Sequence, residues 1–344
     1  MKALMKIGKG PGSVELRDIP EPTPKANEIK VKIHAAGICG TDLHIVKDEY
    51  AADYPVVMGH EYSGTVEEVG AAVKDFKKGD RVVSLTAAVT CGHCRYCYSG
   101  LLMLCPERKS IGSGVNGAFA EYMVVPAHLA FKIPDSISME EAALSEPFAC
   151  IVRSVIEMAS VKAGDIVLVS GPGTIGLITL QVAVASGAKV IVAGTTADAE
   201  RMKLAQTLGA VKTINVETQD LFAEAAAYIG DKEGFDLVFE CAGHWRSAEN
   251  CLKAVKKSGQ YIQIGLYGKK VEFDHDLALK NEVRILNSFA QERTSWERAL
   301  RLFRLGMVNL KPLVSFTYPL EQWETAFEKA FNKEGFKILF KPNK

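Results

Sequence analysis

Residues 165–187, DIVLVSGPGTIGLITLQVAVASG, constrain the fold more than any other stretch of this chain. A run of apolar, mostly β-branched residues stops at Gly171-Pro172-Gly173-Thr174-Ile175-Gly176, and an apolar segment of helical length follows. A lone GxGxxG is common in turns, but between a strand and a helix it has a mechanism. Gly171 permits the tight turn, Gly173 lets backbone approach a pyrophosphate, and Gly176 lets helix and strand pack closely. Unpaired N–H groups in the first helical turn, around Thr174 and Ile175, are then available to phosphate. The bland alternative is a plain strand–turn–helix. Ile166 to Ala188 carries no charge and is long enough for a bilayer, yet its glycines, Pro172 and the change of pattern midway argue against a span.

The same texture continues downstream. Apolar strands at 165–170, 189–194, 211–216, 235–243, 259–265 and 283–288 alternate with helical segments such as DAERMKLAQTLG. That alternation predicts a doubly wound parallel sheet over residues 148–288. NAD-binding units usually carry an acid about 20 residues beyond the turn to hold the ribose. Here the second strand ends in Gly194-Thr195-Thr196, and the first acid is Asp198. Thr195, Thr196 and Arg201 can accommodate a 2′-phosphate, which favours NADP or tolerance of both NAD and NADP. Arg201 reads equally well as a solvated helix residue.

Residues 1–147 read differently, as short strands at 29–37, 62–70, 80–85 and 120–125 punctuated by Gly and Pro: an irregular β-domain. The tail, 289–344, shows two helical patterns and a last strand, FKILFK, and is expected to fold back onto the first domain. A chain of 344 residues accommodates two cores in this way.

Four of the eight cysteines, Cys91, Cys94, Cys97 and Cys105, fall within fifteen residues. The N-terminal stretch has lysines inside it and no signal-peptide core, so export is not expected and the cytoplasm is the default. There such a cluster points to metal rather than disulfides. Four thiolates suit tetrahedral zinc and leave no position open for chemistry, so this site is read as structural. An iron–sulfur cluster fits less well, because its motifs space the last cysteine more closely. A second, dispersed set is Cys39 in GICGTDLH, His60 and Glu61 in GHEYSG, and Glu146 in SEPFA. Singly these are a small core residue, a satisfied histidine and two surface acids. Together they can form a catalytic zinc site with room for water or substrate, and carboxylate ligands leave space for another divalent ion such as manganese.

With these motifs in this order, the chain resembles the zinc-containing medium-chain dehydrogenases along nearly its whole length. GICGTDLH, GHEYSG, the four-cysteine lobe and GPGTIG carry the likeness. Glu61 after His60, Glu146 before Pro147, and the stretches SEPFACIVRS and GTTADAERMKLA are similar to the polyol branch, sorbitol and arabitol-phosphate dehydrogenases. The resemblance implies an α/β two-domain fold: a GroES-like β-rich catalytic domain plus a Rossmann domain. It implies a catalytic metal on Cys39, His60 and Glu61 with Glu146 as direct or water-mediated partner, and Thr41 and His44 in proton transfer. It also implies a homodimer or homotetramer that passes hydride between a polyol, free or phosphorylated, and NAD or NADP.

One departure stands out. Sorbitol dehydrogenases carry Arg-Tyr after a Phe where this chain reads Phe289-Ala290-Gln291, which puts sorbitol itself in question. Lys109 and Arg293 are conceivable contacts for a substrate phosphate, or simply surface charges. Three alternatives remain beside the polyol reading: a threonine-dehydrogenase-like amino-alcohol oxidoreductase, a non-catalytic NAD(P)-binding regulator, and a zinc-ribbon nucleic-acid binder. Equal numbers of basic and acidic residues, 41 of each, give the last no electrostatic support.

Overall fold

The computed structural model describes residues 1–10, 12–230 and 234–343. The chain divides into two compact units. One comprises residues 1–147, 291–304 and 310–344; the other comprises 148–290 and 305–309.

The second unit is built on six parallel strands, in the order Lys212–Asn215, Lys189–Gly194, Ile166–Ser170, Phe235–Glu240, Val255–Gln263 and Arg284–Asn287. Strand order therefore reverses between Ile166–Ser170 and Phe235–Glu240, first and fourth along the chain, and the glycine turn leaves the carboxyl end of Ile166–Ser170. Ligands bind such sheets at that switch point. The helix Thr174–Ala185 is buried from Gly176 through Ala183, which explains why its sequence is apolar on every side rather than on one stripe. The uncharged segment 166–188 is thus a central strand and a buried helix, and among the described residues no helix is long and apolar enough to cross a membrane. Leu168, Ile191, Ile214, Phe235, Val238 and Tyr261 fill one core of this unit.

The first unit holds a sheet of seven strands, centred on Glu28–Gly37. That strand pairs antiparallel with Glu61–Val69, with Tyr122–Pro126 and with the C-terminal Lys337–Phe340. Its returning tail is fastened by aromatic contacts: Phe340 meets Phe119 edge-on at 5.0 Å, and Phe327 lies 6.4 Å from Phe119. Such contacts bury large apolar area and fix ring orientation. The two tail helices span Arg293–Arg304 and Trp323–Phe331.

Candidate active site

The four-cysteine lobe closes on itself around the short helix Arg95–Tyr98. Sulfur separations are 3.6 Å for Cys94–Cys97, 3.7 Å for Cys91–Cys105 and 3.9 Å for Cys91–Cys97. A disulfide needs about 2.05 Å, so these are not disulfides. Zinc–sulfur bonds of about 2.3 Å in a tetrahedron place sulfurs about 3.8 Å apart. The lobe fits that ion. Backbone N–H groups support the sulfurs, Cys97 donating to Cys94 and Cys91 to Cys105. The backbone N–H of His93 lowers the Cys91 thiol to about 6, while burial and then Cys94 hold Cys97 up at about 11. A divalent cation shared by the four sulfurs would take the place of the protons in these sulfur–sulfur contacts.

The second cluster is assembled by strand register. Gly37 pairs with Glu61 across two antiparallel strands, so Cys39, just past the end of one, comes beside His60 and Glu61 at the start of the other. Their ligand atoms lie within 4.8 Å of one another. Glu146, in the first turn of the helix Ser145–Val152, is not within that trio. Its Oε1 accepts a hydrogen bond from Gln291 Nε2 at 2.8 Å, and its charge reaches His60.

Two neighbours of the trio, Asp42 and Lys337, and one neighbour of Glu146, Gln291, add polar groups to the cluster. Asp42 is fully buried; its Oδ2 accepts from the Cys39 N–H at 2.9 Å, and its Oδ1 lies 3.8 Å from His60 Nδ1 with no hydrogen-bond partner. Lys337, from the C-terminal strand, donates to both Glu61 oxygens, at 2.6 and 2.9 Å, and to the Ile38 carbonyl at 3.0 Å. Gln291 joins Glu146 to Thr86 Oγ1. Asp42 lies three residues after Cys39 within GICGTDLH, whereas Lys337, in the final strand FKILFK, is 276 residues from Glu61 in sequence.

The charges test whether this cluster suits a cation. Burial alone would depress the His60 imidazolium, but Asp42 and Cys39 outweigh it and hold its pKa well above the usual value. Burial opposes the charge of Lys337, but Glu61, with Cys39 and Asp42 nearby, outweighs it and raises the ammonium's pKa. A sulfur, an imidazole nitrogen and a carboxylate oxygen brought this close together suit a divalent ion such as zinc. Thr41 Oγ1 lies 3.7 Å from Cys39 Sγ, and His44, one turn along the same helix, bonds Glu49 at 2.7 Å on the half-exposed side.

The glycine turn lies in the other unit. Gly171 has φ +98°, and a Cβ there would sit 2.7 Å from the Ala242 nitrogen. A Cβ on Gly176 would be 1.9 Å from the Gly171 carbonyl oxygen, whereas one on Gly173 would meet nothing within 4 Å. The space above Gly173 is what close approach of a pyrophosphate requires. Thr174 and Ile175 begin the helix that follows. At the end of the second strand, Asp198 Oδ2 accepts from both the N–H and the hydroxyl of Thr195, and Asp198 Oδ1 accepts from Arg201 at 3.3 Å. Thr196 N–H donates to Glu217. Thr195, Thr196 and Arg201 are therefore grouped, but around carboxylates that a 2′-phosphate would have to displace or share. Lys109 pairs with Asp53 at 2.8 Å, and Arg293 bonds the His128 carbonyl and Glu297, so both candidate phosphate contacts have partners at the surface.

Comparison with known proteins places this geometry. The chain matches the alcohol dehydrogenase GroES-like domain over residues 25–135 and the zinc-binding dehydrogenase family over residues 174–304. It is similar to a sorbitol dehydrogenase of Halalkalibacterium halodurans, with 36% identity covering 99% of each chain. A D-arabitol-phosphate dehydrogenase of Enterococcus avium is also 36% identical, over 100% of this chain and 98% of that one. L-threonine 3-dehydrogenases match too, as from Pseudoalteromonas translucida at 34% identity over 98% of this chain and 99% of that one. Among solved structures, a Sinorhizobium meliloti protein assigned to the zinc-binding dehydrogenases and bound to NADP has a TM-score of 0.90, at 32% identity over 99% of each chain.

Proposed function

This chain belongs to the zinc-binding alcohol dehydrogenase family, and from that premise we propose that it interconverts a polyol, free or phosphorylated, and the corresponding ketose. It is a zinc-dependent, NAD(P)-linked oxidoreductase. The reaction balances as secondary alcohol plus NAD(P)⁺ giving ketone, NAD(P)H and one proton. The observation that carries the reading is the meeting of Cys39 with the adjacent pair His60 and Glu61, sulfur, imidazole and carboxylate donors drawn from two separate segments. Two full-length relatives named for polyol substrates supply the substrate class.

When bound, zinc supplies Lewis-acid polarisation of a substrate oxygen and nicotinamide accepts the hydride. Cys39, His60 and Glu61 hold the ion. Asp42, 3.8 Å behind His60, accepts from the Cys39 N–H and so holds the backbone that carries the ligating sulfur. Glu146 acts through a water rather than as a direct ligand. Thr41 takes the alcohol proton, and His44, with Glu49 beside it, passes it towards solvent. In the other unit, Gly171, Gly173, Thr174, Ile175 and Gly176 hold the pyrophosphate, and Thr195, Thr196 and Arg201 surround the adenosine ribose, with NAD and NADP both admissible. Cys91, Cys94, Cys97 and Cys105 hold a structural zinc. A cytoplasmic homodimer or homotetramer completes the reading.

The test follows absorbance at 340 nm with a panel of free and phosphorylated polyols, offering NAD and NADP separately, with and without chelator. Chelator-sensitive reduction on one polyol class is the expected result. Silence on every polyol with turnover of L-threonine would replace this reading by the amino-alcohol one, which the threonine dehydrogenase relatives favour. The regulator and nucleic-acid alternatives have no supporting observation in an enzyme family.

A further inference from the structure

A cavity of about 410 Å³ opens beside the cysteine lobe, in the unit that holds the metal cluster. Its polar lining is Tyr50, Asp53, Arg108, Lys109, Ser110 and Ser113, so two cations stand against one carboxylate. Arg108 is half-buried and fixed in place: Nε donates to Ser110 Oγ at 2.8 Å and Nη1 to the Met103 carbonyl at 3.1 Å. Lys109 and Asp53 pair at 2.8 Å on the rim, where both side chains are more than half exposed, and such surface pairs are weakly held. Among the described residues, the hydroxyls of Tyr50 and Ser113 have no hydrogen-bond partner.

Two loops wall this cavity, and they are latched to each other and to the metal cluster. In one, the Ser110 carbonyl accepts from the N–H groups of Ser113, Gly114 and Val115, and a Cβ on Gly114 would lie 2.9 Å from the Lys109 Cβ. In the other, the Asp53 N–H donates to the Ser113 carbonyl at 2.7 Å, which ties the loops together. Tyr50 follows Glu49, the partner of His44, and so continues the segment that carries Thr41 and His44. A Cβ on Gly112 would lie 2.7 Å from the Gly59 carbonyl oxygen, so the first loop rests on the residue that precedes His60. Charge, unused hydroxyls and a fixed guanidinium are therefore collected beside the segments that supply the metal ligand and the proton relay.

We propose that this cavity receives the phosphate of a phosphorylated polyol whose reacting hydroxyl lies at the metal cluster. A phosphate monoester carries about −1.5 to −2 charges at pH 7 and three acceptor oxygens. Arg108 and Lys109 supply the opposing charge, and the hydroxyls of Tyr50 and Ser113 donate to the phosphate oxygens. Asp53 is the competing anion, displaced from Lys109 when the phosphate enters. This rests on the polyol reading above and narrows it from free or phosphorylated to phosphorylated. A free polyol brings no charge to the cavity and gains nothing from the two cations, which is the source of the discrimination.

The experiment compares kcat/KM, with NAD and NADP in turn, on pentitols and hexitols offered free and as their terminal phosphates. The unsubstituted enzyme is expected to favour a phosphorylated substrate. Lys109→Met, which keeps the aliphatic stem, is expected to lower the ratio of phosphorylated to free kcat/KM by about tenfold to a hundredfold, mostly through KM. Asp53→Asn is expected to move the same ratio the other way, because it removes the competing anion. Inorganic phosphate is expected to inhibit competitively against the phosphorylated polyol, more weakly in Lys109→Met and more strongly in Asp53→Asn. Arg108→Met joins the comparison where its zinc content equals that of the unsubstituted enzyme; the two rim variants, which touch no buried group, carry the test otherwise. Preference for free polyols, or a ratio within twofold of the unsubstituted value in both rim variants, would overturn the phosphate assignment while the polyol reading stands. Turnover of L-threonine with no activity on any polyol would overturn both.

Discussion

Lys337 and Glu61 form a buried pair in which three ammonium hydrogens meet two carboxylate oxygens and a carbonyl. Such a pair contributes little net stability when complete, but removing one partner leaves an uncompensated charge. Lys337→Met is therefore expected to lower unfolding free energy by about 3 to 5 kcal/mol in urea titration, with Lys337→Arg recovering part of it. A loss under 1 kcal/mol would mean that Glu61 finds another cation or takes up a proton. Gly37 matters for a different reason: the space its absent side chain leaves is the space the Glu61 carboxylate fills, and a Cβ would lie 2.4 Å from Oε2. Gly37→Ala should cost the catalytic ion and the activity while sparing the lobe, which elemental analysis would read as one zinc per chain in place of two.

At the scale of elements, the cysteine lobe and the glycine turn depend on contrasting things. The lobe has little apolar support: apart from Cys105 its ligating cysteines are partly exposed, and the helix Arg95–Tyr98 buries no residue. Its order must come from the metal, as in other small zinc-held modules. Cys97→Ala should lower the melting temperature and make the lobe the first site of proteolysis, whereas retention of two zinc ions per chain would count against the assignment. The glycine turn instead rests on a well-packed strand and helix, and fails through sterics. Gly176→Ala places a methyl 1.9 Å from the Gly171 carbonyl oxygen, so the turn must open. Fluorescence titration should then show nicotinamide dinucleotide affinity at least tenfold weaker with zinc content unchanged.

For the molecule as a whole, the two units hold different core clusters and, on the proposed reading, different ligands, so their stabilities should respond to different additives. Nicotinamide dinucleotide at about a hundred times its Kd is expected to stabilise residues 148–290 by about 2.7 kcal/mol, the mass-action value for a ligand of the native state alone. Hydrogen exchange along the six-stranded sheet would register it. Protection appearing in the sheet of residues 28–37 and 61–69 alone would contradict the placement of the dinucleotide turn.

Local chemistry wrote much of this into the chain. Strands and helices of residues 166–287 follow from apolar runs of strand or helix length bounded by turn residues, and the turn at Gly171 follows from a backbone conformation that glycine adopts without strain. The cysteine lobe is legible for the same reason, because its four ligands lie within one loop. The polar surroundings of His60 are not. Asp42 is joined to Cys39 locally, but Lys337 and Gln291 look like ordinary polar residues, and nothing near them in sequence pairs them with Glu61 or Glu146. They acquire their roles when antiparallel register sets Gly37 against Glu61 and the tail brings Lys337 back to the same strand. Contacts between residues far apart in sequence are decided by packing and burial, and only the folded sheet determines which buried charge faces which.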